Sequence, residues 1–166
     1  MKSITEQYTE LILSVKDTVF RLAKTITASR VEAEDITQDI YEKVWRARDA
    51  VLNSSHPRAY VCRMARNLAI DCTRRRWESV EITDRVVEDG NKTVIVGDMA
   101  ELTKQIISRL PEKQQAAIHL RDVEGYEIEE IAEVLECDQV SVRMNLSRAR
   151  KSVREQLLKA LKYGTE

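Results

Sequence analysis

The chain has 166 residues, of which 27 are basic and 28 acidic, so its formal net charge is only −1. With 43% hydrophobic and 33% charged residues it is too apolar for a disordered chain, and its 4 Gly and 2 Pro argue against a many-stranded sheet. No apolar run approaches the roughly 20 residues of a membrane-spanning helix, and the N-terminal stretch MKSITEQYTELILSVKD lacks the apolar core of a secretory signal, so we expect a cytoplasmic protein.

Residues 1–78 are predicted to form a unit of three helices. Apolar side chains recur at alternating steps of three and four residues, which indicates amphipathic helices with one buried face. Ser29 and Glu32 have the spacing of a capping box, and Pro57 suits the first turn of a helix, where its missing N–H is not needed. The three predicted helices cover roughly residues 4–27, 29–50 and 57–77.

Residues 79–98 show no helical stripe and contain Gly90, Gly97 and several acids, so they are predicted to be a flexible linker. The short apolar run TVIV within them has the composition of a strand. Because a single unpaired strand is unstable in water, we expect this run to pack on a domain or on a partner.

Residues 99–166 predict four further helices, over roughly residues 99–110, 111–123, 126–136 and 139–161. A tight break separates the last two, and Asp138 is a good N-cap for the final one. Two helices joined by so short a turn form the helix-turn-helix pattern. The predicted fold class is therefore all-α, with two small helical domains joined by a flexible linker.

The segment SVRMNLSRARKSVR, residues 141–154, carries five cations and no carboxylate. In a helix-turn-helix the second helix enters the major groove of DNA, where Arg pairs with guanine, Asn pairs with adenine and further cations contact phosphates. The acidic helix before it would have to face away from DNA. For this segment alone, a solvated cationic face is the alternative. The residues expected at the duplex are Ser141, Arg143, Met144, Asn145, Ser147, Arg148 and Lys151.

A second basic cluster lies on the predicted third helix, after the polar loop NSSH at residues 53–56. Arginines beside aromatic rings can hold single-stranded nucleic acid by stacking and phosphate contact. A solvated face is again the alternative, but two such clusters on separate units favour nucleic acid contacted at two points. The cluster consists of Arg58, Arg63, Arg66, Arg74, Arg75 and Arg76, bracketed by Tyr60 and Trp77.

No cofactor or metal is predicted. The three cysteines, Cys62, Cys72 and Cys137, are widely spaced and form no CxxC or Cys/His pattern, and the two histidines lie far apart. We expect the cysteines to be reduced thiols.

Both units resemble one protein family. DITQDIYEKVW (35–45) and PRAYVCRMARNLAIDCTRRR (57–76) resemble region 2 of the bacterial sigma-70 factors. LPEKQQAAIHLRDVEGYEIEEIAEVLECDQVSVRMNLSRARKSVREQL (110–157) resembles their region 4. The order and spacing look like the small extracytoplasmic-function (ECF) subgroup, and the likeness covers nearly the whole chain except the linker.

The resemblance implies a factor that binds core RNA polymerase and promoter DNA and has no small-molecule substrate. Region 4 would bind the minus-thirty-five duplex, and region 2 would open and read the minus-ten element. An anti-sigma factor, often membrane-bound, is the further partner implied, so the chain would be held at the inner membrane without inserting into it. The residues implied at the minus-ten DNA are Asn53, Ser54, Ser55, His56, Tyr60, Arg63, Arg66, Asn67, Arg74 and Arg75.

The polymerase-binding face implied by the resemblance lies on the predicted second helix. Its residues lie largely off the stripe of Ile36, Ile40 and Val44, so we expect them to point outward. The alternative for the two aromatic members is that they cap the core of their own unit. The face consists of Asp35, Gln38, Asp39, Tyr41 and Trp45.

The predicted linker suits contacts at two promoter elements. About 20 extended residues span roughly 70 Å, whereas one turn of DNA is about 34 Å long. Its acids keep the linker off DNA and suit a basic channel in the polymerase, where the resemblance places it.

This chain departs from the family pattern around the turn of the helix-turn-helix. Glu136 replaces a common Gly, Val140-Ser141 replaces Gly-Thr, and Asn145 replaces a common Arg. Arg143-Met144 stands where the family often has a basic residue followed by Ser. These departures affect which promoter sequence the chain is expected to read, but not the expectation that it binds DNA through this helix.

Two other function classes are alternatives to a sigma factor. A stand-alone helix-turn-helix regulator, with the first unit serving for dimerisation or sensing, would bind its operator tightly without polymerase. An enzyme acting on nucleic acid is disfavoured because the sequence shows no carboxylate cluster with metal spacing, no Ser/His/Asp set and no Gly-rich phosphate loop.

Overall fold

The computed structural model of the protein describes residues 1–80 and 99–163. Every regular element in those two ranges is a helix, which confirms the all-α fold class. Residues 81–98, which hold most of the predicted linker and its TVIV run, lie outside the described residues. The boundaries assigned to the two domains therefore stay a prediction.

Helix α1 of the first unit has the predicted bounds, but the predicted second helix is interrupted. Its hydrogen-bond ladder breaks at Ala47, where ψ is 17°, and the short helix that follows turns Val51 into the core with no exposed surface. A straight helix to about Ala50 is therefore wrong. The helices of this unit are α1 (Ile4–Thr27), α2 (Arg30–Arg46), α3 (Arg48–Leu52) and α4 (Pro57–Val80).

The capping box predicted at the start of α2 is half formed. The Ser29 hydroxyl accepts a hydrogen bond from the Glu32 N–H at 3.2 Å, but the Glu32 carboxylate pairs with Arg76 of α4. A complete box caps α1 instead, where Ser3 and Glu6 exchange both bonds. Glu32 thus links α2 to α4, and Arg76 also donates to the Thr27 carbonyl at 2.9 Å, where α1 ends.

The core of the first unit lies where α1 packs against α2 and α4. The predicted inward stripes of α1 and α2 are largely buried, with Val19, Leu22 and Ile40 at 1% exposure or less. On α4 the buried set includes several small residues, and Ala65 and Ala69 are fully buried, so that the backbone of α4 packs close to α1.

The second unit consists of four helices, and its second helix ends in a wider π turn at His119–Val123. Gly125, at φ +74°, follows that turn in the left-handed conformation that favours glycine. The buried residues of the last two helices include Ile131, Leu135 and Leu146, as the 3.6-residue period predicts. The helices are α5 (Met99–Ser108), α6 (Glu112–Ile118), α7 (Ile128–Leu135) and α8 (Gln139–Tyr163).

The two units pack against each other. Helix α1 contacts α5, α6 and the π turn, and α4 contacts α7. Tyr126, just before α7, is 2% exposed, and its hydroxyl lies 3.5 Å from the fully buried Sγ of Cys62 on α4. The sequence did not predict this contact, which places the second unit over one face of the first.

Candidate nucleic-acid interface

The turn between α7 and α8 is built by two residues. Glu136 ends α7 in the left-handed conformation at φ 54°, the position where the resembling family often has Gly. Asp138 caps α8 as predicted, because its carboxylate accepts a hydrogen bond from the Ser141 N–H at 2.7 Å. Hydrogen bonding from Ser141 also lowers the pKa of Asp138.

Helix α8 presents its predicted DNA residues on one accessible face. Arg143, Met144, Ser147, Arg148 and Lys151 are exposed, whereas the side chains of the opposite stripe are buried in the second unit. Within the described residues, no carboxylate pairs with any of these three cations. This face is therefore open to an external anion.

The two remaining predicted residues of this face, Ser141 and Asn145, are half-buried and bonded to each other. The Asn145 amide donates to the Ser141 carbonyl at 2.9 Å, one turn back along the helix. To pair with a base, the Asn145 side chain would have to leave this bond.

Arg150, one of the five cations of the basic segment, has a different role. Its guanidinium donates twice to the Asp122 carboxylate, at 2.6 and 3.0 Å, and so fastens α8 to the π turn. This hydrogen bonding raises the pKa of Arg150. The segment thus divides into one cation that is paired with a carboxylate and four that are not paired with a carboxylate in the described part of the chain, the fourth of which is Arg154.

The predicted polymerase-binding face of α2 is accessible. Asp35, Gln38 and Asp39 are exposed, Tyr41 is half-buried and Trp45 is 38% exposed. These residues lie together along one side of α2. Their role in binding polymerase stays a prediction.

Trp45 is both presented to solvent and held in place. The rings of Tyr8 and Trp45 form a T-shaped pair with centroids 5.0 Å apart, and the Arg48 guanidinium lies 4.4 Å from the Trp45 ring centroid. Tyr8 also donates its hydroxyl to the Tyr41 carbonyl at 2.8 Å, and burial raises the pKa of Tyr8. These contacts hold the Trp45 ring in place while 38% of the residue stays exposed.

The predicted minus-ten residues lie mostly on the accessible side of α4 and on the loop before it. In the loop, Ser54 donates its hydroxyl to the Val51 carbonyl at 2.7 Å, which holds a tight turn. On α4, the Arg63 guanidinium lies 4.5 Å from the Tyr60 ring centroid. The exposed members of this group are Asn53, Ser55, Asn67, Arg74 and Arg75, and the half-buried ones are Ser54, His56, Tyr60 and Arg63.

Arg66 is the exception among the predicted minus-ten residues. It is 6% exposed, and its guanidinium donates twice to the Glu112 carboxylate of the second unit, both at 2.6 Å, with a weaker contact of 3.5 Å to the Val134 carbonyl. The expectation that it lies on an open cationic face is wrong for this arrangement, because the second unit covers it. Its role at the minus-ten DNA stays a prediction.

Glu124 forms a second cross-unit cluster with α1. Its carboxylate accepts two hydrogen bonds from Arg21, at 2.7 and 2.9 Å, and one from the Thr18 hydroxyl at 2.9 Å. Nε2 of the buried His119 lies 3.2 Å from the same carboxylate, without the alignment of a hydrogen bond. Burial lowers the pKa of His119.

A third cluster joins α4 to the start of α7. The Arg58 guanidinium lies 5.0 Å from the Tyr126 ring centroid and 3.6 Å from the Glu130 carboxylate. No feature of the sequence marks Glu112, Glu124 or Tyr126 as contacts of the first unit.

The second unit also carries an apolar groove that the sequence did not predict. It lies between α5 and the C-terminal half of α8, where exposed leucines depart from the buried stripe. Its apolar lining consists of Met99, Ile107, Ile118, Val123, Val153, Leu157, Leu158 and Leu161.

Neither a metal cluster nor a membrane span is found in the described part of the chain. Residues 1–80 and 99–163 contain no group of three or more His, Cys, Asp or Glu side chains placed to hold a metal ion. In the same ranges, no helix is long and apolar enough to cross a membrane. The three cysteines are free thiols.

Comparison with known families and relatives gives consistent matches. The family model for Sigma-70 region 2 matches residues 11–79, and the model for Sigma-70, region 4 matches residues 100–153. The ECF RNA polymerase sigma factor SigE of Mycolicibacterium smegmatis is 33% identical over 159 residues, which cover 90% of this chain and 61% of the relative. SigW of Bacillus subtilis, also an ECF RNA polymerase sigma factor, is 23% identical over 92% of this chain and 89% of its own length.

Solved structures share the fold. The sigma factor RpoE of Bartonella quintana, in complex with the anti-sigma factor NepR, matches with a TM-score of 0.75 at 23% identity, over 90% of this chain and 96% of that chain. CnrH, in complex with the cytosolic domain of CnrY, matches with a TM-score of 0.64 at 20% identity, over 92% of this chain and 88% of its own.

Proposed function

Because this chain belongs to the sigma-70 family of RNA polymerase sigma factors, in the extracytoplasmic-function group, we propose that it directs core RNA polymerase to promoters and carries no catalytic site of its own. It would start transcription by binding the minus-thirty-five duplex with α8 and by opening the minus-ten element with α4 and the loop before it.

The observation that carries this proposal is the face of α8. Arg143 and Met144 lie in its first turns, where a helix in the major groove meets base edges, and Arg148 and Lys151 lie further along, where such a helix meets phosphates. Because α7 and α8 form a helix-turn-helix with this face exposed, the duplex can be reached without rearranging the second unit.

The outer face of α2 supports a contact with the polymerase. Exposed aromatic rings beside carboxylates are typical anchors of protein interfaces. Trp45 is such an anchor, because its contacts with Tyr8 and Arg48 fix the ring before a partner arrives. Little side-chain freedom would then be lost on binding.

We propose that the chain acts in the cytoplasm and is held inactive by an anti-sigma factor. Two of the matched structures contain such pairs, NepR with RpoE and CnrY with CnrH, and the CnrY portion there is its cytosolic domain. A membrane-bound partner of this kind would hold the chain at the inner membrane without its entering the bilayer.

Reconstitution with core RNA polymerase tests the proposed function. The purified chain and core enzyme should produce run-off transcripts from a subset of genomic fragments, and neither component alone should select those fragments. A chain that binds one operator tightly without polymerase and yields no run-off transcript would instead be a stand-alone regulator.

A double variant tests the polymerase-binding face. Asp35→Arg with Gln38→Ala should abolish co-purification with core polymerase while leaving the helical content unchanged, because both side chains are exposed. Glu10→Arg with Gln7→Ala makes the same changes at the same spacing on the exposed side of α1 and should bind normally. Equal polymerase binding by both double variants would show that this face of α2 does not contact the polymerase.

A further inference from the structure

The basic cluster of α4 ends at an aromatic ring to which the proposed function gives no role. Trp77 lies near the end of α4, directly after Arg74, Arg75 and Arg76, and 69% of the residue is exposed. Among residues 1–80 and 99–163, no second aromatic ring and no guanidinium is stacked on the Trp77 indole. The indole is therefore accessible to a ligand without any movement of the two units.

Tyr60, the aromatic residue at the other end of the cluster, has different surroundings. The Arg63 guanidinium lies 4.5 Å from the Tyr60 ring centroid, and Tyr60 is half-buried. A nucleic-acid base that stacks on a side chain needs an open ring face. Of the two aromatic residues that bracket the cluster, Trp77 is therefore the more available to a base.

The end of α4 that carries Trp77 is held in place. The Arg76 guanidinium donates a hydrogen bond of 2.9 Å to the Thr27 carbonyl and pairs with the Glu32 carboxylate. These contacts attach the end of α4 to the corner between α1 and α2. A ring carried on a helix that is already fixed loses little conformational freedom when it binds.

The cations around Trp77 favour nucleic acid as its ligand. Arg74 precedes Trp77 by three residues, so the two side chains are neighbours on the surface of the helix. Arg74 is exposed, and its contact of 3.2 Å with Asp71 is a surface ion pair that contributes little. An open aromatic ring beside exposed cations is suited to single-stranded DNA, because the ring stacks on a base and the cations contact phosphates.

We propose that Trp77 is a further DNA-binding residue of the first unit: in the open promoter its indole stacks on an unpaired base, and Arg74 contacts the phosphate beside that base. The inference rests on the proposed function. Trp77 lies about 20 residues beyond Pro57, which is about 30 Å along α4 at a rise of about 1.5 Å per residue. The base held by Trp77 is therefore a different one from the base read by the loop at residues 53–56.

Fluorescence of 2-aminopurine in promoter DNA tests this proposal. A promoter fragment found by run-off transcription is mismatched over its open segment, and 2-aminopurine replaces one base of that segment at a time. In the complex with holoenzyme, the base that stacks on Trp77 should be quenched, and Trp77→Ala should restore its fluorescence. Trp77→Ala should also weaken binding of the holoenzyme to this fragment at least about fivefold. Trp77→Phe should keep most of the quenching because it retains an aromatic ring.

A matched control removes an exposed ring elsewhere. Tyr163 is 75% exposed and lies at the end of α8, the other long helix, so Tyr163→Ala should leave both the fluorescence and the affinity unchanged. Asn53→Ala, in the loop before α4, should change the fluorescence at a different position of the strand from Trp77→Ala. Circular dichroism and co-purification with core polymerase should be normal for Trp77→Ala, because its side chain is exposed.

The outcomes separate this inference from the proposed function. Fluorescence that rises at one position with Trp77→Ala, but not with Tyr163→Ala, supports stacking on Trp77. Equal signals from these two variants at every position overturn it. Loss of co-purification with core polymerase by Trp77→Ala would place the indole in a protein interface and also overturns it. An absent run-off overturns the proposed function and this inference with it, whereas a positive run-off without a response to Trp77→Ala overturns this inference alone.

Discussion

Helices α4 and α8 are both long, both rich in arginine and both proposed to contact promoter DNA. They differ in whether the cations proposed to bind DNA already face a carboxylate of the same chain. The cations of α8 at Arg143, Arg148 and Lys151 face solvent, with no carboxylate paired to them in the described part of the chain. On α4, Arg66 is buried against Glu112 and Arg58 lies beside Glu130. The difference arises from the contact between the units.

Cationic composition does not determine whether a helix face is available to DNA. A carboxylate from a distant part of the chain can take the place of a phosphate, and the arginine then contributes to the stability of the free protein. Arg66 and Glu112 are 46 residues apart and belong to different units. Arginine thus serves structure at Arg66 of α4 and at Arg150 of α8, whereas Arg143 and Arg148 of α8 have no carboxylate partner in the described part of the chain.

The largest expected effect is on stability, and it separates the two helices. Arg66→Ala should lower the free energy of unfolding by about 2–3 kcal/mol, at or below the range for a broken buried pair because Glu112 retains partial solvation. Arg148→Ala should change it by no more than about 0.5 kcal/mol, since its side chain is exposed. Urea unfolding of both variants measures the difference, and equal values would mean that the buried pair adds nothing.

The next effect concerns DNA and is expected on α8. Arg143→Ala should relax preference at a single base pair, by about 1–3 kcal/mol of discrimination. Arg148→Ala should weaken binding across all promoters and reduce the salt dependence by about one phosphate contact. Selection of bound promoters with the reconstituted holoenzyme distinguishes the two, and equal, uniform losses would contradict the assignment of Arg143 to a base.

A smaller effect is expected at the two left-handed positions, one in each unit. Glu136→Gly before α8 and Ala28→Gly after α1 should each raise the free energy of unfolding by about 1 kcal/mol, because both residues are held at φ 54°. Glu129→Gly, inside α7, should lower it by about 1 kcal/mol. Thermal unfolding of the three variants tests this, and destabilisation by Glu136→Gly would show that the Glu136 side chain has a role that outweighs its backbone strain.

The smallest effect is a pH dependence at the contact between the units. Burial lowers the pKa of His119 below 6.5, although Glu124 opposes this in part and Arg21 adds to it. The unfolded chain then takes up a proton at higher pH than the folded chain, so the free energy of unfolding should fall as the pH drops from about 7.5 to 5.5. His119→Gln should flatten the profile measured by urea unfolding.

Glu124 does not produce this dependence. Burial alone would raise its pKa, but the hydrogen bonds from Arg21 and Thr18 lower it below 4.5 overall. Its contribution is therefore lost only in more acidic solution. A profile that stays the same in His119→Gln would assign the effect to other groups.

The elements that could be predicted from the sequence are those whose signals are local. The bounds of α1 follow from a long apolar stripe, and the Asp138 cap and the exposed face of α8 follow from position along one helix. The break at Ala47 and the π turn at His119–Val123 carry no such signal, because a local change in backbone hydrogen bonding alters the path of a helix without altering the apolar pattern.

The contact between the units could not be predicted, for a different reason. Arg66 lies among five other arginines of α4, and nothing in its neighbourhood marks it as the one to be buried. Its partner follows the unpatterned segment 79–98, and the burial of Tyr126 depends on α4 being present. Contacts between two folded units depend on the complementarity of their surfaces, and the periodicity of apolar residues along one helix does not determine that complementarity.

The buried thiol of Cys62 can report chemically on the contact between the two units. Burial raises the pKa of Cys62 to about 12, so the thiol is protonated while the two units are packed together. Because it is also fully buried, alkylating reagents cannot reach it. Cys72 and Cys137 are only half-buried and therefore act as internal references for reagent and time. The alkylation rate of Cys62, divided by the rates of those two, would measure how often Tyr126 separates from Cys62. The same ratio can be measured in the presence of any candidate ligand.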